Sequence, residues 1–171
     1  WRVFLDSGAA DGRPKFITES QVAAPTFRLP PGNYLVNAAF GRAYVTRQLT
    51  IRPGQLPPER FVLNAGGLRM AALVGNGEPA PASMMSFEVF SDERDQFGNR
   101  TRIVDGVKQG VILRLNSGIY HVVSTYGDAN AHVRTDVTVE AGKLTEATVA
   151  HAVGKATLKL VMRPGGEALA D

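Results

Sequence analysis

The residues able to do chemistry are few, and their spacing argues against most of it. Three histidines occur, His121, His132 and His151, whereas a metal site needs ligands that converge on one point. His121 and His132 fall on outward positions of two strands joined around Gly127-Asp128. A tight hairpin there sets Asp136 opposite His121 and Thr125 opposite His132, which predicts an exposed cross-strand His121–Asp136 pair worth at most about 1 kcal/mol. All three histidines are expected to be ordinary surface side chains. The run Asp92-Glu93-Arg94-Asp95-Gln96-Phe97-Gly98-Asn99 offers the oxygen ligands that calcium takes. It lacks the EF-hand spacing, and Arg94 stands among its acids, so it reads as a solvated hairpin loop. No serine has a histidine and an acid near it in sequence, and no glycine-rich strand-to-helix loop is present to cradle phosphate. The absence of cysteine excludes disulfides, thiolate metal ligands and cysteine nucleophiles together. The expectation is a chain that is not an enzyme and uses no cofactor or metal.

Binding is the remaining chemistry. Phe4 and Phe90 occupy equivalent places in a repeat described below, on the strand face opposite Val3 and Val89. If the valines are core, the phenylalanines point outward, and exposed aromatic groups mark binding surfaces. Phe4, Phe90 and Phe97 are therefore the candidate interaction surface. Arg28 and Arg114 also recur, as do the acids Asp6 with Asp92 and Glu19 with Asp105; ion pairs within each module are expected of them.

These residues must be positioned by a chain of 171 residues that is 44% hydrophobic and 20% charged, values that place it among globular proteins. The net charge of +3, from 19 basic and 16 acidic residues, is too small and scattered for a nucleic-acid partner. No apolar run approaches the roughly 20 residues of a membrane helix. The chain opens at Trp1 without an initiator methionine or signal peptide, so a segment of a longer protein is expected.

The chain repeats itself. Shifted by 86, Phe27-Arg28-Leu29-Pro30-Pro31-Gly32-Asn33-Tyr34 lies on Leu113-Arg114-Leu115-Asn116-Ser117-Gly118-Ile119-Tyr120. Beyond Gly41 and Gly127 the shift becomes 88, pairing Gly54 with Gly142 and Gly66 with Gly154. The two extra residues are expected at the Gly127 to Ala131 hairpin tip, where insertion is cheapest. The reading is a first module at 1–65 without its opening strand, a complete second module at 66–153, and at 154–171 the first strand of a third.

Within the second module, short apolar runs alternate with turn signals. Strands are predicted at Leu68–Val74, Ser86–Phe90, Thr101–Val104, Val111–Leu115, Ile119–Tyr126, Asn130–Val139 and Leu144–Ala152, and no segment has a helical period. Seven strands with frequent turns describe an all-β sandwich. Alternation puts Tyr120, Val122, Ser124 and Tyr126 on the core face, with Tyr34, Val36, Ala38 and Phe40 as their counterparts. Tyr34 and Tyr120 should be buried with their hydroxyls bonded to backbone or water.

The segments Leu29-Pro30-Pro31-Gly32-Asn33-Tyr34-Leu35-Val36 and Leu49-Thr50-Ile51-Arg52-Pro53-Gly54-Gln55 resemble the core of carboxypeptidase-regulatory-like repeats, as do their second copies. The joint Leu63-Asn64-Ala65-Gly66-Gly67-Leu68-Arg69 is similar to joints in tandem repeats of some bacterial von Willebrand factor A proteins; His151-Ala152-Val153-Gly154 departs from it. The resemblance implies tandem seven-stranded immunoglobulin-like or transthyretin-like β-sandwich modules in a bacterial periplasmic or extracellular protein. It also implies a spacer, adhesion or assembly role with protein partners or neighbouring modules. A carbohydrate-binding module that takes polysaccharide is the alternative.

Overall fold

A computed structural model describes residues 1–6, 13–54, 58–128, 131–154, 156 and 158–167. They form twelve strands and no α-helix. The first four strands are β1 (Arg2–Leu5), β2 (Lys15–Glu19), β3 (Gly32–Phe40) and β4 (Ala43–Ile51). They make one antiparallel sheet in the order β2-β1-β3-β4. Next come β5 (Ala65–Val74), the two-residue β6 (Glu78–Pro79) and a single 3-10 turn at Ala82–Met84. The remainder are β7 (Met85–Arg94), β8 (Arg100–Val107), β9 (Ile112–Asn116), β10 (Gly118–Tyr126), β11 (Ala131–Val139) and β12 (Leu144–His151).

The strands after β4 build two sheets that share a core. One is antiparallel, in the order β11-β10-β7-β8; in the other β5 is central, parallel to β12 and antiparallel to β9 and β6. Leu68, Met70 and Ala72 of β5, Leu115 of β9 and Val149 of β12 meet Met85, Phe87, Val89, Val122, Val137 and Val139 of the facing sheet, all nearly inaccessible. The period-two alternation of β5, with Arg69 and Ala71 outward, gives this face its apolar row.

Two of the sheets share one strand order. The order β2-β1-β3-β4 reproduces β8-β7-β10-β11 strand for strand. β3 maps onto β10 at a shift of 86 and β4 onto β11 at 88. The two extra residues, 129 and 130, lie outside the described residues; the paired strands beside them end at Tyr126 and begin at Ala131. Around the first sheet the other layer differs. The segments 26–30 and 58–63, counterparts of β9 and β12, are not strands. In the second module both of those strands pair with β5, and among the described residues no strand holds the equivalent place beside the first sheet. Phe27, Leu29 and Phe61 nevertheless pack against the cluster of Val3, Tyr34 and Val36, with Trp1 edge-on to Phe61 at 5.1 Å.

Several expectations meet differences. β7 and β8 run longer than the sequence pattern suggests, through Arg94 and from Arg100, because the two chains stay paired up to the Arg94↔Arg100 register. Phe40, expected in the core, is 59% exposed: it ends β3 beyond the edge of the packed layer. Described residues from 154 onward contain one isolated bridge position, Val161, and no strand.

Candidate functional site

Val3 and Val89 are fully buried, so Phe4 and Phe90 face away from the core. The structure does not bring the three phenylalanines together. Phe4, on the first sheet, is half-buried with Phe16 edge-on at 5.7 Å. Phe90 lies half-buried on the outer face of β7, opposite His121 of β10. Phe97 projects from the β7–β8 tip, 78% exposed.

That outer face carries an open groove. Phe90 and Val123 form its apolar part, and Glu88, Arg94, Asn99, Arg100, His121, His132 and Arg134 surround them. Alternation along β7, β10 and β11 presents these side chains on one side, while the same strands give their other side to the core. The predicted cross-strand pairing is present: His121 Nδ1 is 2.7 Å from Asp136 Oδ1, and Thr125 Oγ1 is 2.9 Å from His132 Nδ1. The hydrogen bond from His121 holds the Asp136 carboxyl below its ordinary range.

Two of the three carboxylates in the acidic loop beside the groove have close partners. Asp95 Oδ1 accepts from the backbone N–H of Phe97 at 2.9 Å and of Asn99 at 2.8 Å. The Asn99 bond comes first among the causes that lower the Asp95 pKa. Asp92 pairs with Arg100 at 2.7 Å, and Arg94 donates to the Gly98 carbonyl at 2.8 Å. The Arg134 side chain has no hydrogen bond or ion pair among the described residues. The groove can therefore hold a flat or anionic group against Phe90 within reach of Arg134.

Two groups of residues escaped the sequence reading. His151, expected on the surface, is 2% exposed, and its Nε2 lies 2.8 Å from Oγ of the fully buried Ser124. The pair bridges β10 and β12 through the core, and its burial keeps it from acting on a ligand in solvent. Burial first, then the charge of His132, lowers the His151 pKa. Sequence proximity does not point to this pair, because 27 positions separate the two residues in contact.

The second group joins the modules. Asn116 Oδ1 accepts from the Tyr44 N–H at 3.1 Å, and its Nδ2 donates to the carbonyls of Tyr44 at 3.0 Å and Leu63 at 2.9 Å. One amide thus serves three backbone groups of the first module. The Arg42 N–H donates to the Arg114 carbonyl at 2.9 Å, and the Arg114 guanidinium lies 4.6 Å from the centre of the Phe40 ring. Arg114 therefore serves the joint and not an ion pair within its own module. Asn64, which turns the chain into β5, is the single described non-glycine residue with positive φ, at 47°. Asparagine tolerates that region because its short side chain bonds locally. Ala152, its counterpart at the second junction, does not adopt it.

Compared with known proteins, the chain matches no family model and no curated relative. No helix in the described residues is long and apolar enough to cross a membrane.

Proposed function

We propose that the chain is a non-enzymatic structural and protein-interaction segment of tandem immunoglobulin-like sandwich modules, of the carboxypeptidase-regulatory-like kind. It serves as a spacer or assembly element in a bacterial periplasmic or extracellular protein. The observation that carries the reading is the Asn116 joint. A spacer needs modules held at a set angle, and three hydrogen bonds from one side chain to two points of the neighbouring module supply that. The envelope location rests on the resemblance of the turn and tyrosine segments. Nuclear relaxation of the 171-residue chain tests the spacer role: one shared rotational correlation time for β1–β4 and β5–β12 is expected, and two independent times would remove it.

Polysaccharide binding is the second reading. The groove favours it, because Phe90 offers an apolar floor and Arg134 a free cation, the pairing that a ring with an acidic substituent would use. Retention on an acidic polysaccharide column, lost in Phe90→Ala and Arg134→Ala, is the outcome that would establish it.

A further inference from the structure

We propose that the outer groove of β7, β10 and β11 docks an extended acidic peptide segment of a partner protein, its carboxylates on Arg134 and Arg94 and an apolar side chain on Phe90 and Val123. This names the partner chemistry of the interaction-segment reading and rests on it.

Positive charge gathers on this face. The whole chain carries a net charge of only +3, yet three arginines and one glutamate line this groove. The acids of the face are already held. Glu88 accepts from Arg102 at 3.1 Å, Asp92 from Arg100 at 2.7 Å, and Asp136 lies 2.7 Å from His121. Two guanidiniums are left without a carboxylate among the described residues. The Arg134 side chain is exposed and has no partner there. Arg94, also exposed, gives one bond to the Gly98 carbonyl at 2.8 Å. A guanidinium has five donors, so Arg94 keeps most of its capacity.

The register sets these groups in a line. Val123 of β10 stands opposite Arg134 of β11 on one side and Glu88 of β7 on the other. Phe90 is two residues further along β7, and Arg94 ends that strand. The apolar pair therefore lies on the path from one unpaired guanidinium to the other. An extended chain matches such a line, because alternate residues share a face about 6.6–6.8 Å apart. An acidic, an apolar and a second acidic residue at alternate positions would meet Arg134, the Phe90–Val123 floor and Arg94 in turn. Guanidinium forks fit carboxylates in geometry as well as charge. A chain of acidic sugar rings fits less well: Phe90 is a single half-buried ring, and Val123 calls for an aliphatic partner.

The fold does not need these cations. The first sheet has the same strand order and register. Phe4, Leu35 and Gln48 form one row, where Phe90, His121 and Asp136 stand in the later sheet. In the next row Thr46 takes the place of Arg134 and is satisfied by Asn37 at 2.8 Å. A sheet of this order thus forms without an arginine there, and the Arg134 side chain is spare for a ligand.

The probe is the acetylated and amidated peptide Ser-Asp-Ser-Leu-Ser-Asp-Ser, titrated into the isotope-labelled full chain and followed by backbone amide shifts. Shifts around Phe90, Val123 and Arg134 are expected, with none in β1, β3 or β4. Asparagine in place of both aspartates of the peptide should abolish them, and added salt should weaken binding by screening exposed charges. Arg134→Gln should weaken binding by about 3–5-fold, the scale of one exposed ion pair. Arg134→Glu should weaken it by at least ~10-fold, since attraction becomes repulsion. The Arg134 side chain has no partner to lose, so both variants should unfold in urea with the parent. Thr46→Ala should leave the affinity unchanged. Absence of groove shifts at ~5 mM peptide, enough to reveal millimolar binding, overturns the inference, as do shifts that survive Arg134→Glu. Tighter binding of tetragalacturonate than of the peptide also overturns it and gives the groove to polysaccharide. None of these results alters the shared correlation time of the modules, so the spacer role stands or falls separately.

Discussion

At the residue scale the second core is organised around a polar contact that the first replaces with apolar groups. Ser124 and His151 correspond to Ala38 and Leu63. Deleting one partner of a buried hydrogen bond costs about 1–3 kcal/mol, whereas replacing both by apolar groups is nearly neutral. His151→Leu alone should therefore destabilise the second module by that amount, and Ser124→Ala with His151→Leu should recover most of it in urea unfolding. The pair also predicts a pH dependence. The imidazole in the unfolded chain takes up a proton near its ordinary value of 6.5, while in the folded chain its pKa is lowered by burial. Below 6.5 the unfolded state binds more protons, so stability falls as the pH drops from 6.5 toward the lowered value and is flat above. The double variant should lose this component, measured as the difference in urea midpoint between pH 7.5 and pH 5. The tyrosines show the opposite case, a polar contact retained in both copies. Tyr34 Oη donates to the Pro30 carbonyl and Tyr120 Oη to the Asn116 carbonyl, each at 2.9 Å. Phenylalanine at either place should cost about 1 kcal/mol.

At the scale of elements, β5 is the strand on which the second module depends, and Gly66 shows why it admits little change. A Cβ there would stand 2.2 Å from the Glu140 carbonyl oxygen and 3.0 Å from that of Lys143. Both are backbone, held by the bonds Gly67 N–H to Lys143 O and Gly142 N–H to Ala65 O, each 2.8 Å. Gly66→Ala must push the β11–β12 turn away and should cost about 1–3 kcal/mol or more. Gly154, its counterpart, has nothing within 4 Å, so Gly154→Ala should fall within about 0.5 kcal/mol of the parent in urea unfolding. A reversed order of these two effects would break the correspondence between β5 and the later segment.

For the whole molecule, the decisive contact is the joint. Asn116→Ala removes both bonds to Tyr44 and the one to Leu63 while leaving β9 paired to β5 through its backbone. The expected result is two correlation times in place of one, with the chemical shifts of each module's core unchanged. Loss of the folded second module in that variant would show that Asn116 serves its own sandwich and not the angle between modules.

The all-β class, most strand faces and the hairpin register of His121 with Asp136 were legible in the sequence. They depend on period two and on turn residues, which are local properties of the chain. The burial of His151, the grip of Asn116 and the place of Phe40 beneath Arg114 were not. Each depends on residues far apart in sequence, as in the contact of Asn116 with Tyr44 across 72 positions, and the repeat misleads there because Pro30 stands where Asn116 does. Even the groove was half legible: alternation sends Phe90 outward, but only the pairing of β7 with β10 sets it opposite His121. Alternation tells which way a side chain points; what it meets is decided by the packing of one layer against another.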